Sequence, residues 1–378
     1  MLSLFVLYTA TLILIYARWN SAARSISQTR ILEDGAPPPH LQEIMVVQPI
    51  LGGDPSLESN LAHNIALYPD IRFLWLIDDD DKVGMAAAER ALISRSHQAK
   101  ILRTPKGDSF LNPKVFKLNY AFSQLSENFI VLDDDCQLRE GSLERLLRCL
   151  YFADLATGIP FYRETGGLWS LLLAKFPNGQ SALTYFSTSS SGPASTINGM
   201  YYATSRTALN TAGGFSAIGA LLCDDYELAR IFVRKNLKIW QSTAQVNIFT
   251  YIPSAKAYFQ QMHRWAFFSV RQVTALISPK AIIWVLLPTI LPFAGLISTV
   301  LVAPHFLPAM LAILALKSES SFQLRRQFFG ATKRGRVDLE ILTDLMLPIF
   351  VAVAAVSRRV KWRNKIILSD GRILKWHT

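Results

Sequence analysis

The chain has 378 residues, 51% of them hydrophobic, a formal charge of +11 and a mean hydropathy of +0.23. That is room for one large domain or two ordinary ones, and it is oily for a wholly water-soluble protein. Cys136, Cys149 and Cys223 are scattered and odd in number, which excludes a disulfide framework or cysteine-rich metal site and fits reduced, cytosol-facing thiols. Basic residues gather mainly beside the apolar runs, where anionic lipid headgroups account for them, and this argues against DNA or RNA as a partner.

The first element is the uncharged run LSLFVLYTATLILIYA (2–17). No basic residues precede it and no small-x-small cleavage site follows, so it is expected to be a retained membrane anchor and not a signal peptide. Arg18, Arg24 and Arg30 come next, and the positive-inside rule then starts the remainder of the chain in the cytosol. Gly35 and Pro37-Pro38-Pro39 predict a stiff linker within residues 18–41.

Between residues 42 and 272 short apolar strands alternate with amphipathic helices. Strands are predicted at IMVVQPI (44–50), RFLWLI (72–77), AKILRT (99–104) and NFIVL (128–132). Helices are predicted at SLESNLAHNIALY (56–68), GMAAAERALISR (84–95) and PKVFKLNYAFSQL (113–125). Such alternation means parallel strands joined by helical crossovers, with ligands bound beyond the carboxyl ends of the strands. Two of these strands end in acid, at Asp78 to Asp81 and at Asp133 to Asp135.

Adjacent carboxylates repel, so a cation is the natural partner for such a cluster. The D-x-D pair Asp133 and Asp135 on a turn could hold one Mg²⁺ or Mn²⁺, which in turn would hold a diphosphate. The alternative is a solvated acidic turn capping a following helix. The run at Asp78 to Asp81 has the same alternative, and a carboxylate there also suits a ring N–H of a nucleotide base.

Further on, CDDYELA (223–229) is either an acidic first turn of a helix or the source of a general base with a pKa raised by neighbouring charge and burial. In FQQMHRWAFF (259–268), Gln261, Arg264 and Trp265 share a helical face, suited to clamping a diphosphate and covering an acceptor. The competing reading is an interfacial helix with an aromatic belt, and the two are compatible. His263 points elsewhere and is assigned a structural role.

The C-terminal part is membrane-like. Residues 282–303 are uncharged and long enough to span a bilayer; Pro304-His305 breaks the run, and Phe306 to Leu316 is apolar but short. A hairpin over 273–317 is expected, followed by a basic segment (Arg325, Arg326, Lys333, Arg334, Arg336). Ile341 to Ser357 has basic flanks on both sides and is interrupted by Asp344 and Pro348, so within 318–378 it is a re-entrant, interfacial or spanning helix.

The ordered set of acidic cluster, D-x-D, acidic dyad and Q-x-x-R-W before membrane helices resembles the inverting family 2 type glycosyltransferases of GT-A fold. KVFKLN (114–119) sits where they carry K-x-x-x-L-N. More closely, QPILGGDPSLESNL (48–61), LNPKV (111–115), DDYELA (224–229) and VKWRNKIILSDGR (360–372) resemble motifs of the ceramide glucosyltransferase branch, family 21. Gln48 stands where that branch has Lys, and Asp224 where it has Glu.

The resemblance implies an α/β GT-A domain with a Rossmann-like, mostly parallel sheet at 42–272, on the cytosolic side of the membrane (the inner membrane in a bacterium), plus transmembrane helices. It implies that Asp79, or Asp81 in the alternative register, contacts the uracil of a UDP-sugar. Asp133 and Asp135 would hold Mg²⁺ or Mn²⁺, Asp225 beside Asp224 would be the base, and Lys114, Gln261, Arg264 and Trp265 would serve the donor. The implied reaction is inverting transfer of a sugar such as glucose to a lipid hydroxyl, with ceramide as acceptor. Hopanoid or diacylglycerol acceptors, and a processive polysaccharide synthase, are the alternatives.

Overall fold

The computed structural model describes residues 2–93, 99–107, 111–164, 166–190, 192–219, 221, 223–275, 282–330, 335–362, 365–369 and 374–377. Ser94 and Arg95 of a predicted helix, the basic Lys333, Arg334 and Arg363, and residues 370–372 of the closing motif lie outside them. The chain forms two compact units: a sheet unit (Thr29–Arg163, Pro193–Thr250 and Arg363–Thr378) and a helical unit (Met1–Gln28, Glu164–Gly192 and Tyr251–Trp362).

The sheet unit contains β1 (Met45–Pro49), β2 (Arg72–Asp78), β3 (Ala99–Thr104), β4 (Asn128–Leu132), β5 (Cys136–Leu138), β6 (Leu155–Tyr162), β7 (Tyr201–Ser205) and β8 (Ile239–Ile248). They form one sheet in the order β3-β2-β1-β4-β7-β6-β8-β5. The β3-β2-β1-β4 half is parallel, as the strand–helix alternation requires. Covered on both faces by crossover helices, β4 buries Phe129, Ile130, Val131 and Leu132 completely, which is why it reads as a continuous apolar run instead of alternating. Val115 and Leu118 of helix Pro113–Ala121, with Phe215, Leu228 and Phe232, complete the core on one side. Beyond β4 the sheet becomes mixed: β7 is antiparallel to both β4 and β6, β8 is parallel to β6, and β5 closes the edge antiparallel to β8. In-register pairing of β1 with β2 and β4 puts the carboxyl ends of all three along one edge.

Residues 18–35, expected within a linker, are instead helical, because the N-terminal helix runs from Leu2 to Gly35. Within the sheet unit the physical reason is Glu33, whose side chain is fully buried. Its carboxylate accepts from Ser242 Oγ at 2.7 Å, from the Thr243 N–H at 2.8 Å and from the Thr243 hydroxyl, with Arg145 Nη1 at 3.3 Å. Trp240 Nε1 donates to Thr29 Oγ1 at 3.2 Å one turn earlier. The helix is held by the sheet, so its last turns do not fray into a linker.

In the helical unit, residues 164–192, expected in the soluble domain, form helices Leu168–Lys175 and Ala182–Ser189 joined by a π-helical turn Phe176–Ser181. Among the described residues three helices are long and apolar enough to cross a membrane: Leu2–Gly35, Ile282–Val302 and Val337–Val356. The break at Pro304-His305 is a 3₁₀ turn, after which helix Leu307–Phe329 continues well past the apolar run. Its buried Arg325 pairs with Glu340 at 2.5 Å, and buried Lys175 pairs with Glu164 at 2.7 Å, as charges withdrawn from water require.

Removing Glu33 strands Arg145 and three buried donors, so Glu33→Ala is expected to cost about 3 kcal/mol of stability. Asp34→Ala, at an exposed carboxylate near the same arginine, is expected to cost less than about 1 kcal/mol. Denaturation of the two variants in detergent measures the difference.

Candidate active site

The site grows from the start of helix Pro113–Ala121. Asn112 caps it, its side-chain oxygen accepting from the Lys114 N–H at 3.0 Å and the Val115 N–H at 3.4 Å, and Pro113 occupies the first helical position. This fixed start aims two lysines, three residues apart, at the acidic edge of the sheet.

Lys114 Nζ lies 2.6 Å from Asp133 Oδ1, 3.6 Å from Asp224 Oδ2 and donates to the Gly199 carbonyl at 2.7 Å. The D-x-D and the acidic dyad are therefore brought together on one ammonium. Burial acts to lower the Lys114 pKa, but Asp133 and Asp224 hold it well above its ordinary value, so the group stays charged. Lys117 Nζ pairs with Asp78 at 2.9 Å and donates to the Ile50 carbonyl at 2.6 Å.

The acids after β2 divide by role. Asp78 also accepts from Thr104 Oγ1 at 3.0 Å and is absorbed into the fold. Asp81 caps helix Lys82–Leu92: one oxygen accepts from the Gly84 N–H at 2.8 Å, the other from the Gly52 N–H at 2.7 Å. A Cβ on Gly52 would lie 2.4 Å from the Gly84 nitrogen, so this contact requires glycine. Asp80 meets Lys106 at 2.9 Å with both side chains exposed, a weak pair. Asp79 is exposed, held by its backbone N–H on the Thr104 carbonyl, and its carboxylate has no partner among the described residues.

After β4, Asp133 to Asp135 turn directly into β5, so capping of a following helix does not explain them. Asp134 accepts from the Leu51 N–H at 2.7 Å. Burial, then the charges of Asp133, Asp134 and Asp54, push the Asp135 carboxyl up to about 8. Among the described residues no cage of three or more His, Cys, Asp or Glu ligands is assembled. The set fits a hard cation held by two carboxylates and completed by waters or phosphate oxygens: excess negative charge, oxygen donors only, and an incomplete shell.

Asp225 lies in the first turn of helix Asp224–Arg234. Its Oδ1 accepts from the Tyr226 N–H at 2.7 Å and from Cys223 Sγ at 3.0 Å, leaving Oδ2 without a partner among the described residues. Burial first, and the Asp224 charge second, raise its pKa; the thiol, the N–H and Lys114 act against the rise. A Cβ on Gly199 would sit 2.8 Å from Asp225 Cβ, so the loop before β7 can pass only as glycine. Behind the dyad lies an apolar recess that includes Val115, Tyr202, Phe215 and Leu228.

Gly199, Cys223 and Lys117 were not singled out from the sequence. The Asn198-Gly199 dipeptide was the available turn signal. Gln48 is buried in β1 and accepts from Trp75 Nε1 at 3.0 Å, which makes it part of the sheet's interior.

Gln261, Arg264 and Trp265 belong to the helical unit, on helix Ala255–Ala275, all partly exposed. Trp265 packs on Phe176 with ring centroids 5.8 Å apart. His263 bonds Ser357 Oγ at 3.0 Å, a structural contact.

A GT-A sheet with carboxylates converging beyond its strand ends, in a chain with membrane-length helices, defines a membrane-bound sugar-nucleotide glycosyltransferase. The sequence model of glycosyl transferase family 21 matches residues 5–373, and the chain belongs to that family. Among solved structures, the mannosyltransferase PcManGT from Pyrobaculum calidifontis, in complex with GDP-Man and Mn²⁺, shares the fold: TM-score 0.52, 16% identity, over 93% of this chain and 98% of that one. GalNAc-T7 with UDP, GalNAc and Mn²⁺ aligns at TM-score 0.41 and 10% identity, over 64% of this chain and 52% of that one. Glucosyl-3-phosphoglycerate synthase from Mycobacterium tuberculosis aligns at TM-score 0.35 and 16% identity, over 64% and 82%. No curated protein matches the chain in sequence.

Gly199→Ala must displace Asp225. Sugar transfer is expected to fall by about 10²-fold while the unfolding midpoint moves little. A wild-type rate in that variant would show that the position of this carboxylate does not matter.

Proposed function

We propose that this enzyme transfers glucose from UDP-glucose to the primary hydroxyl of a membrane lipid of the ceramide type, in one displacement with inversion. The observation that carries the reading is the joining of D-x-D and acidic dyad on Lys114, with one Asp225 oxygen left over. Asp225 Oδ2 takes the hydroxyl proton; the acceptor oxygen bonds to the anomeric carbon as its bond to the departing UDP breaks. With Asp225 acting as base and the acceptor oxygen itself attacking the anomeric carbon, a single displacement gives the opposite anomer.

Asp133 and Asp135 would hold Mg²⁺ or Mn²⁺, which when bound offsets charge developing on the diphosphate. Lys114 holds Asp133 and Asp224 in fixed positions, so the charges are in place before substrate arrives. Asp79, unpartnered and exposed, is free to accept the uracil N–H, whereas Asp81 has both oxygens committed to backbone N–H groups. Gln261, Arg264 and Trp265 are assigned to the donor or acceptor at the membrane surface, and the sheet unit to the cytosolic side.

Incubating the purified full chain with a panel of UDP-sugars and lipids, then identifying products by mass spectrometry, tests the reading. One glucose on ceramide supports it; a polymer would indicate a processive synthase, and glucose on a hopanoid or diacylglycerol a different acceptor.

Asp225→Asn is expected to lower kcat by about 10³-fold with UDP affinity retained. Because the base must be ionised and its pKa is raised, kcat/KM falls as pH drops through a value above the usual carboxylate range. The Cys223 thiol stabilises the ionised form, so Cys223→Ala moves that acid limb to higher pH; an unmoved limb would place the titration elsewhere.

Asp135→Ala is expected to weaken UDP binding by about tenfold in Mn²⁺, to the level that EDTA produces in the wild type, with no further loss when EDTA is added to the variant. Calorimetry of UDP binding measures all of these states.

A further inference from the structure

Two acidic turns follow β2 and β4, and β1 lies between those strands in the sheet. Neighbouring strands are about 4.8 Å apart, which sets the two turns about 10 Å from each other. On the proposed donor reading, uracil meets Asp79 and the diphosphate meets a cation on Asp133 and Asp135. A nucleotide that reaches both lays its ribose across the end of β1, over the loop of residues 51–54.

That loop is gripped from both sides. Asp134 Oδ2 accepts from the Leu51 N–H at 2.7 Å, and Asp81 Oδ2 accepts from the next one, the Gly52 N–H, also at 2.7 Å. Just before them, the Ile50 N–H donates to the Leu76 carbonyl at 2.8 Å, and the Ile50 carbonyl accepts from Lys117 Nζ at 2.6 Å. Just after them, Asp54 Oδ1 accepts from the Ser56 N–H at 2.7 Å, turning the chain into helix Leu57–Leu67. From that helix Asn60 Nδ2 donates back to the Asp134 carbonyl at 3.3 Å. Asp134 therefore holds the loop by its side chain and the helix after the loop by its backbone. Asp81 also caps helix Lys82–Leu92, so folding accounts for it, whereas Asp134 stands between β4 and β5, where no helix begins. Leu51 is an exposed residue, and an exposed N–H is satisfied by water without a protein acceptor. What the Asp134 carboxylate adds there is order.

We propose that Asp134, the middle residue of the D-x-D, is a positioning residue for the nucleotide: it holds the Leu51 N–H and so fixes residues 51–54 as a floor for the ribose before the donor arrives. The inference rests on the UDP-sugar reading and adds to it a task for a carboxylate assigned to neither the metal nor the uracil. A floor ordered in advance lowers the ordering cost of binding, so its effect is read as nucleotide affinity.

The test uses the full chain in detergent and two variants, Asp134→Ala and Asp134→Asn. Hydrogen exchange without nucleotide reads the loop itself. Asp134→Ala should speed exchange in the peptide containing Leu51 and Gly52 by about tenfold, while Asp134→Asn, whose side-chain oxygen still accepts from the same N–H, should stay close to the wild type. In calorimetry, Asp134→Ala should weaken UDP binding about fivefold, by the same factor in Mn²⁺ and in EDTA, and Asp134→Asn should recover most of that loss. A loss confined to Mn²⁺ would overturn the proposal by making Asp134 a metal ligand. Asp134→Asn behaving like Asp134→Ala would overturn it by making the charge, and not the hydrogen bond, the active element. Wild-type exchange and UDP affinity in Asp134→Ala would overturn this inference alone, whereas a wild-type chain that binds no UDP would overturn the donor reading and the inference with it.

Discussion

The acidic edge of the sheet depends on one ammonium group. Asp133 and Asp224 come from distant parts of the chain, and unscreened their carboxylates would push β4 and the acidic helix start apart. Lys114 Nζ, 2.6 Å from one and 3.6 Å from the other, turns that repulsion into a shared attraction, with the Gly199 carbonyl as its third contact. Its own placement is local: Asn112 and Pro113 fix where the helix starts, and the start fixes where the second residue of that helix points. Lys117, one turn on, does the same for Asp78 and the Ile50 carbonyl. A short motif that looks unremarkable in sequence thus sets the spacing of the whole edge.

These pairings also sort the acids by what they have left to offer. Asp78 and Asp81 are saturated by a lysine, a threonine hydroxyl and two backbone N–H groups, and they shape the loop after β1. Asp225 spends one oxygen on its neighbours and keeps the other. Asp135 is half-buried among like charges, and its burial together with those charges pushes its carboxyl up to about 8. Runs of Asp look interchangeable in sequence, but partner geometry makes them unequal.

The parallel half of the sheet was legible because strands covered on both faces must be unbroken apolar runs, and NFIVL or RFLWLI can be little else. The acids at their ends followed from the rule that such sheets bind ligands beyond carboxyl ends. The mixed half was not legible: β7 and β8 follow loops whose direction is set by distant pairing, with no period of their own to announce it. Residues 18–35 were read as linker because polar residues dilute the apolar period. The partners that hold them helical, Trp240, Ser242 and Thr243, are some two hundred positions away, at |i−j| of 209 to 211. Gly199 and Cys223 escaped for a similar reason, since their importance lies in their distance from Asp225 and not in their residue type.

At the sheet edge one sign of charge is left over. The carboxylates of Asp133, Asp135, Asp224 and Asp225 outnumber the lysine that joins them, Lys114. Satisfying every charge internally would be the more stable choice for the sheet unit alone. Charge left over where the chain holds it rigidly is better explained by a ligand of the opposite sign than by folding, and that is the part the proposed cation would play.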